Sequence, residues 1–436
     1  MKRNKLILAL TALMLTGCGT DPVVYDSFEL PKDMDYFAKA EDPLEADNTA
    51  PLIESHPTFA NHLADFSGRF IDKAIKRFDE ETDNSCLSPT SLYGVIAMLA
   101  SSTKGDAQSE IISMLGMSME EIESATRPLV ENLSYESDKE NTKGICAYDN
   151  AIFTQDGDYF KQAGMERLAD KHYASSYKLN FMHLNKEANN ALEQYVERKT
   201  HGLIKPSFNY DIYTRLIYMN TLYLKTIWSG FKMSELKEKT DFVNRNDSKK
   251  KIEYLRTPSL SHRRQIDHGT FRSFGIPLTA NCSLRLMVPT ANHSLNDLTA
   301  ADWTAVAHEN YWVHAGNTIY HTTAYLPSFT IEGDFNLNKV LQEDFGVRTM
   351  FINPDFSPIV EGPCAVSDVR QLTKIIADKE GVEGAAVTIA DVTATAVGNE
   401  PVNIYEDFWA AQAFAYEVVN EKTDAILFAG FVNSVR

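Results

Sequence analysis

Three features of the sequence predict an α+β fold built around one large central sheet. Apolar residues recur at three- and four-residue spacing over 59–78, the pattern of an amphipathic first helix. A nearly continuous apolar run over 216–225 has the composition of a strand in the middle of a sheet. From residue 240 onward, short apolar runs separated by turn residues predict mainly strands. Because no internal repeat or second linker interrupts this order, we expect one domain over 58–436.

The remaining elements follow from the same two periodicities. Ser88 is suited to cap a helix, and Pro89 fits its first turn, where the missing N–H is not needed. The predicted helices are that buried helix over 88–100, then 107–115, an acidic helix over 119–137, 157–173, 186–200, and two more near 294–309 and 335–345. The predicted strands are 145–154, 216–225, 271–277, 282–289, 320–331, 413–419 and 425–432.

Charge and cysteine usage exclude several functions. The net charge of −18 argues against nucleic acid, because phosphate binding needs a basic stripe and the one compact basic run is 249–251. Four cysteines lie far apart without Cys-x-x-Cys spacing, which predicts no zinc site and favours buried free thiols over disulfides; they are Cys86, Cys146, Cys282 and Cys364. We expect no metal and no cofactor.

The first 17 residues predict an export signal. Lys2, Arg3 and Lys5 precede an apolar run over 6–15 that is too short to span a membrane as a helix. The ending Leu15-Thr16-Gly17-Cys18 resembles the bacterial lipoprotein signal, which implies a lipidated Cys18. An ordinary secretory signal is the alternative. The acidic, Pro-containing stretch over 18–57 is predicted to be a flexible tether, and the protein is expected on the periplasmic or extracellular face of a bacterial outer membrane.

The segment 379–391 is rich in small residues and fits neither a core strand nor a linker. At the strand period of two, one face carries side chains that are all small enough to enter between two neighbouring strands: Val382, Gly384, Ala386, Thr388 and Ala390. The segment is therefore suited to be a loop in one state and a strand in another.

Five motifs, in the right order along the folded part of the chain, resemble those of the serpin family. They are Asn84-x-x-x-Ser88-Pro89-x-Ser91-Leu92, Tyr195-Val196-x-x-Lys199-Thr200-x-Gly202-x-Ile204, Asn220-Thr221-Leu222-Tyr223-Leu224-Lys225-x-x-Trp228, Tyr325-Leu326-Pro327-x-Phe329-x-Ile331 and Leu427-Phe428-Ala429-Gly430. The resemblance implies the serpin fold, with a large mixed sheet, eight or nine helices, smaller sheets and an exposed reactive loop. It also implies that Trp228 lies at the top of the sheet.

The resemblance gives the small-residue segment a role. Gly381, Glu383, Ala385, Ala386 and Thr388 match the serpin hinge, whereas Val382 and Gly384 depart from it without adding charge or proline. The family mechanism is suicide inhibition: a protease cuts the loop, the loop inserts into the sheet, and the acylated protease is carried along. The family's polar cluster beneath the sheet maps to Ser88, Ser91, Asn220 and Gln371, with Gln371 in place of the usual His.

Counting from Gly381 places the reactive bond at Thr395–Ala396, whereas counting back from Phe414 places it nearer Val402; the bond is expected within 392–402. No Lys or Arg occurs between Lys379 and Lys422, which argues against trypsin-like targets and favours elastase-like or subtilisin-like serine proteases. Papain-like cysteine proteases, or a serpin-fold binding protein that inhibits nothing, are the alternatives.

An enzyme is not expected, because Gly-x-Ser-x-Gly, His-Glu-x-x-His, Walker and Gly-x-Gly-x-x-Gly motifs are all missing from the sequence. The acidic helix carries Glu120, Glu121, Glu123, Glu131 and Glu136 against Arg127 alone, so activation by a heparin-like polyanion is not expected either. We expect a monomer whose membrane contact is its lipid anchor and whose partner is a serine protease, held as a covalent acyl complex.

Overall fold

The computed structural model describes residues 30–32, 34–46, 50–78, 83–313, 316–366, 369–382 and 402–435. Within these ranges the chain forms nine α-helices: α1 (Leu52–Ser55), α2 (Pro57–Phe78), α3 (Pro89–Ser102), α4 (Gly105–Leu115), α5 (Met119–Leu133), α6 (Gln162–His172), α7 (Asn185–Lys199), α8 (Ala300–Ala307) and α9 (Thr349–Ile352). Two 3₁₀ turns (Pro43–Glu45 and Leu295–Asp297) and one π-helical turn (Val340–Asp344) accompany them. The described strands form sheets of eight, five, five and two strands, so the predicted α+β class is confirmed.

The large sheet has the order β1-β4-β3-β5-β17-β16-β15, with β2 paired to β3. Its strands are β1 (Asp35–Ala38), β2 (Tyr135–Ser137), β3 (Gly144–Gln155), β4 (Ala174–Leu179), β5 (Leu216–Ile227), β15 (Phe329–Asn336), β16 (Arg370–Ala377) and β17 (Gly381–Val382). The predicted central strand is β5, which pairs antiparallel with β3 from Leu216 to Thr226.

Two five-stranded sheets lie beside the large one. The inner sheet, in the order β11-β12-β13-β19-β20, comprises β11 (Ile266–Asp267), β12 (Phe271–Leu278), β13 (Cys282–Pro289), β19 (Phe414–Asn420) and β20 (Ala425–Val432). The third sheet comprises β6 (Ser234–Glu235), β9 (Tyr254–Arg256), β10 (Leu260–Ser261), β14 (Thr318–Pro327) and β18 (Val402–Trp409). β7 (Thr240–Val243) and β8 (Lys249–Ile252) form a separate hairpin.

Helix α3 lies between the large sheet and the inner sheet and contacts both β5 and β20. Most of its residues are buried, which follows from a sequence that is apolar nearly all round. Pro89 occupies the first helical position, as predicted. The Ser88 hydroxyl does not cap the helix; it donates to the Leu427 carbonyl oxygen at 2.7 Å and so ties the helix start to β20.

Three predicted boundaries differ from the structure. The acidic helix ends at Leu133, and β2 follows it, because the chain there pairs with β3. The helix predicted over 157–173 begins at Gln162, because Gly157 adopts a φ of 86° within a turn. The single strand predicted over 320–331 is two strands, since β14 ends at Pro327 and the chain passes from the third sheet into the large sheet as β15.

The predicted tether over 18–57 is partly wrong. Asp35–Ala38 forms β1, an extra strand at the edge of the large sheet that pairs antiparallel with β4. The Tyr36 ring lies 5.0 Å from the Tyr177 ring, and Leu52 is fully buried. Four residues are too few to show the alternation of a strand, and the surrounding sequence is acidic. The sequence therefore did not predict β1.

No helix within the described ranges is long and apolar enough to cross a bilayer. Over the same part of the chain, no three His, Cys, Asp or Glu side chains are grouped so as to hold a metal ion.

Candidate functional site: a gap in the large sheet

The large sheet is interrupted between β5 and β16. Along the edge that faces away from the interruption, β5 pairs with β3 and β16 pairs with β15. On the sides that face each other they meet only through the two residues of β17, at one end of the sheet. We call the space between residues 216–225 and 370–376 the strand gap. No strand of the described chain occupies it.

The strand gap opens onto a cavity of about 130 Å³ beneath the sheet. Its walls come from β5 and β16, and its floor from α3 and from Phe428 of β20, while α7 and the segment after it also line it, through residues such as Val196 and Phe208. Apolar floor residues such as Leu92 and Val95 supply a surface that an inserted apolar side chain could cover. Space for a further strand is therefore backed by a hydrophobic floor.

The four residues predicted to form a polar cluster lie at this cavity. Gln371 bonds the main chain of Ser88 twice: its Oε1 accepts from the Ser88 N–H at 3.0 Å, and its Nε2 donates to the Ser88 carbonyl oxygen at 2.8 Å. The Ser91 hydroxyl donates to Asn220 Oδ1 at 2.6 Å. These bonds tie the start of α3 to both walls of the strand gap.

Sequence reasoning missed two members of this network. Asn150 of β3 accepts from Asn220 Nδ2 at 2.9 Å, and Thr373 of β16 donates to the Cys86 carbonyl oxygen at 2.6 Å. Asp149 and Asn150 interrupt the mainly apolar run of a predicted strand, and this polar pair was the available signal.

A tight turn closes the top of the strand gap. The Asp378 carboxylate accepts from the backbone N–H groups of Glu380 at 2.8 Å and Gly381 at 3.3 Å. The Asp378 N–H donates to the Gly381 carbonyl oxygen at 3.0 Å. Trp228, which is buried, donates its indole N–H to the Asp378 carbonyl oxygen at 3.0 Å. The predicted sheet-top tryptophan thus contacts the turn that leads into the hinge.

The first two hinge residues are already part of the sheet. Gly381 lies opposite Ile227, and Val382 lies opposite Thr226 of β5 and Ala377 of β16. The Val382 side chain is buried and lines the cavity, while its carbonyl oxygen accepts from the Thr226 hydroxyl at 3.1 Å. A Cβ on Gly381 would lie 2.2 Å from the Thr226 carbonyl oxygen, so only glycine fits at this approach.

The other predicted loop residues lie outside the described residues. These are Glu383, Gly384, Ala385, Ala386 and Thr388 of the hinge, and Thr395 and Ala396 at the predicted bond. Cys18 and the signal peptide also lie outside them.

The chain is described again from Val402, the first residue of β18. β18 pairs in parallel with β14 over its whole length, from Val402 to Trp409. The Trp409 and Tyr325 rings stack with centroids 3.8 Å apart. The described residues on both sides of 383–401, the segment of the predicted reactive loop, therefore lie in sheets. Val402, one limit of the window for the reactive bond, belongs to a strand.

The four described cysteines are unpaired, and three of them are buried. Burial raises the pKa of the Cys86 thiol to about 11 and that of Cys146 to about 12, and it raises the pKa of Cys282 well above its usual value. Cys364 is partly buried, and its pKa is also raised by burial. At neutral pH these thiols are protonated and poor nucleophiles.

The family model described as serpin (serine protease inhibitor) matches residues 61–435. The chain belongs to the serpin family, which supports protease inhibition in general and a protease as the partner.

Individual relatives agree with this assignment. Iripin-2 of Ixodes ricinus is 24% identical over 81% of this chain and 88% of its own length. The native-state structure of the thermophilic serpin tengpin superposes with a TM-score of 0.71 at 21% identity, covering 91% of this chain and 97% of that one. A complex of thyroxine-binding globulin with thyroxine gives a TM-score of 0.71 at 16% identity, covering 86% and 99%. At such identities the structural matches show the fold, which is the predicted serpin fold.

Replacing Gly381 tests the fit at the top of the strand gap. We expect Gly381→Val to drive β17 out of the sheet, because the new side chain would meet the Thr226 carbonyl oxygen. Hydrogen exchange of the peptide segments around Thr226 and Ala377 should become at least tenfold faster. Lys379→Ala, an exposed change in the same turn, is the matched control. Equal protection in both variants would show that the close approach does not hold the hinge.

Proposed function

We propose that this protein inhibits serine proteases by suicide cleavage of its reactive loop, followed by insertion of the loop into the strand gap. The observation that carries the proposal is the position of Gly381 and Val382. They pair antiparallel with β5 and begin a strand, below which no strand of the described chain lies between β5 and β16. The strand that Gly381 and Val382 begin would become longer if the residues after Val382 entered the strand gap.

The driving force for insertion follows from the unpaired edges. β5 has ten residues below Thr226, and each wall can bond an entering strand through its backbone N–H and C=O groups. With a net contribution of about 1 kcal/mol per hydrogen bond, ten bonds to β5 alone would supply on the order of 10 kcal/mol. Burial of small apolar side chains over the cavity adds to this.

The register of β17 supports the predicted reactive bond. Extending the pairing of Val382 with Thr226 by one residue at a time brings residue 392 opposite Leu216, the last residue of the wall. An inserting strand thus needs residues 383–392, and a cut must fall beyond them. Thr395–Ala396 meets that condition with three residues to spare.

The burial of Val382 also sets which hinge side chains face the cavity. In a strand, side chains alternate between faces, so every second residue after Val382 points inward. The inward residues are Gly384, Ala386, Thr388 and Ala390, which are all small. The charged residues Glu383 and Asp391 fall on the opposite face of the strand, away from the α3 side of the cavity.

The proposed chemistry uses the protease's own machinery. The protease serine attacks the Thr395 carbonyl carbon, the C–N bond to Ala396 breaks, and the leaving amine takes the proton that the protease base removed from the serine. The acyl ester joins Thr395 to the protease. Insertion then moves this ester along β5, a twelve-residue strand about 40 Å long, before water can hydrolyse it.

A non-inhibitory ligand carrier is the second candidate, because a thyroxine-bound globulin shares the fold. Two observations favour inhibition. The hinge has neither a proline nor an inward charge that would oppose insertion. In addition, β17 already lies between β5 and β16 as the first two residues of such a strand. Inhibition of papain-like cysteine proteases remains an alternative target class, since such a protease would also form an acyl bond at Thr395.

No polyanion cofactor is proposed. Arg127, the one basic residue of α5, forms ion pairs with Glu41, Glu131 and Asp170, so its charge is already compensated. The inhibitor is proposed to act as a monomer, because the strand gap and both anchored ends of the loop belong to one chain.

A pair of neighbouring substitutions tests the insertion step. We expect Thr388→Arg, on the inward face, to turn the inhibitor into a substrate, since an arginine would have to enter the packed cavity. Ile389→Arg, on the outward face, should still inhibit. The measurement is the fraction of pancreatic elastase or subtilisin held in an SDS-resistant complex, which should fall at least tenfold in Thr388→Arg alone. Loss of complex in both variants, or in neither, contradicts the proposed register.

The reactive bond is tested by changing its specificity. The parent protein should not trap trypsin, because no basic residue lies between Lys379 and Lys422. Thr395→Arg should form an SDS-resistant complex with trypsin and lose the complex with elastase, because the primary pocket of trypsin requires a basic side chain. Mass spectrometry of the released C-terminal peptide should find Ala396 at its start. A peptide that starts elsewhere would reassign the bond.

We further propose that the mature protein is attached to a bacterial outer membrane through lipidated Cys18. The support is the Leu15-Thr16-Gly17-Cys18 ending after a short apolar run. In cells fed radioactive palmitate, the full chain should carry the label and fractionate with outer membranes, whereas Cys18→Ser should carry none. Label retained in Cys18→Ser would place the lipid elsewhere.

A further inference from the structure

The end of the large sheet opposite β17 is formed by three connecting segments, residues 155–161, 180–187 and 205–215, which we call the base. They are joined by hydrogen bonds: the Gln155 N–H donates to the Arg215 carbonyl oxygen at 2.8 Å, and the Met182 N–H donates to Gln155 Oε1 at 3.2 Å. Arg215 Nε also donates to Asp158 Oδ2 at 2.7 Å. The base is thus one continuous surface.

Exposed apolar side chains concentrate on the base. Five of the eleven large hydrophobic residues that are strongly exposed within the described residues lie there: Tyr159, Met182, Leu184, Ile212 and Tyr213. Tyr159 is 78% exposed and Tyr213 is 80% exposed. Single exposed apolar residues are normal, but a group at one end of a molecule indicates contact with another apolar phase.

The base is also electrically balanced in a strongly acidic chain. Its three segments carry four basic and four acidic residues, whereas the whole protein has a net charge of −18. The basic residues are Lys161, Lys186, Lys205 and Arg215, and the acidic ones are Asp156, Asp158, Glu187 and Asp211. A balanced surface can approach charged lipid headgroups without the repulsion that the rest of the protein would meet.

The N-terminal segment reaches the folded part of the chain at the base. β1 runs antiparallel to β4, so that its first residue, Asp35, lies opposite Lys178, close to the base end of β4. Leu30 packs with Met34 in a cluster that contains Phe181, which belongs to the base. Cys18 is twelve residues before Leu30, and twelve residues span at most about 40 Å. A lipid on Cys18 therefore keeps the base near the bilayer.

We propose that the base rests on the surface of the lipid bilayer that holds the Cys18 anchor, with its exposed tyrosines and aliphatic side chains in the headgroup region. This proposal rests on the proposed lipidation of Cys18 and is independent of loop insertion. Tyrosine suits the boundary between headgroups and acyl chains, because its ring is apolar and its hydroxyl is polar.

The orientation has a functional consequence. β5 runs from the base at Leu216 to Ile227 beside β17, which separates the base from the top of the strand gap by about 40 Å. With the base on the bilayer, the anchored ends of the reactive loop face away from it. A protease in solution can then reach the loop without meeting the membrane.

Lipid-depth quenching tests the proposal on the full lipidated protein in phosphatidylcholine vesicles. Tyr213→Trp places a reporter on the base, and Tyr405→Trp, on the exposed face of β18 at the other end of the molecule, is the matched control. Because the parent protein has four tryptophans, the emission of the added residue is taken as the difference between the variant and the parent. Replacing part of the lipid by a dibrominated phosphatidylcholine should lower this difference by about half for Tyr213→Trp. The Tyr405→Trp emission should change no more than that of the parent protein.

Two outcomes overturn the proposal: no extra quenching of Tyr213→Trp, or stronger quenching of Tyr405→Trp. If an unquenched Tyr213→Trp protein also cross-links to a second copy through the base, the base is a contact between two copies instead. Flotation of the vesicles with the protein is measured first, because loss of flotation marks a failed anchor rather than a failed base contact. Elastase trapping by both variants is measured alongside, so that a failure of the proposed inhibition is recognised separately.

Discussion

The rest of the structure depends on two strand edges, those of β5 and β16, between which the described chain places no strand below β17. Backbone N–H and C=O groups at the edge of a sheet can form hydrogen bonds with a further strand, and a parted sheet has two such edges close together. In this protein the turn at the top of the strand gap and helix α3 beneath it hold β5 and β16 in their positions. At the top, Trp228 and Asp378 fix the turn that feeds β17. Beneath the sheet, the Ser88–Gln371 and Ser91–Asn220 bonds attach α3 to both walls.

Those same bonds mean that the walls and the floor respond together. An entering strand would meet Gln371 and Asn220 at the cavity, and their partners are on the helix that separates the large sheet from the inner one. Strand insertion is thus a change in the packing of three layers rather than of one sheet. The glutamine at position 371 can both donate and accept, and it uses both capacities on the Ser88 backbone.

The sequence predicted the helices and strands that show a clear periodicity. It did not predict the short strands that form through contacts with other parts of the chain. The helix over 59–78 and the strand over 216–225 were predicted closely, because long periodic runs leave few alternatives. The inward face of the hinge was predicted from a period of two, and Val382, the member of that face that the structure describes, is buried. By contrast, β1 has four residues in an acidic stretch, and β17 has two, so neither carries a pattern of its own. The strand gap itself was implied by family resemblance, because an unfilled space has no residues to show it.

The pairing of β18 with β14 has a consequence for what happens after a cut. An intact loop is held at both ends, so the segment below Val382 cannot travel far into the strand gap while β18 stays in its sheet. In the proposed mechanism, a cut would free one end of the loop and leave the other in β18. Once the freed end lay at the base, the two new termini would be separated by most of the length of the large sheet, and the peptide bond could not be remade between them. The proposed step would therefore be irreversible, and each molecule would act once.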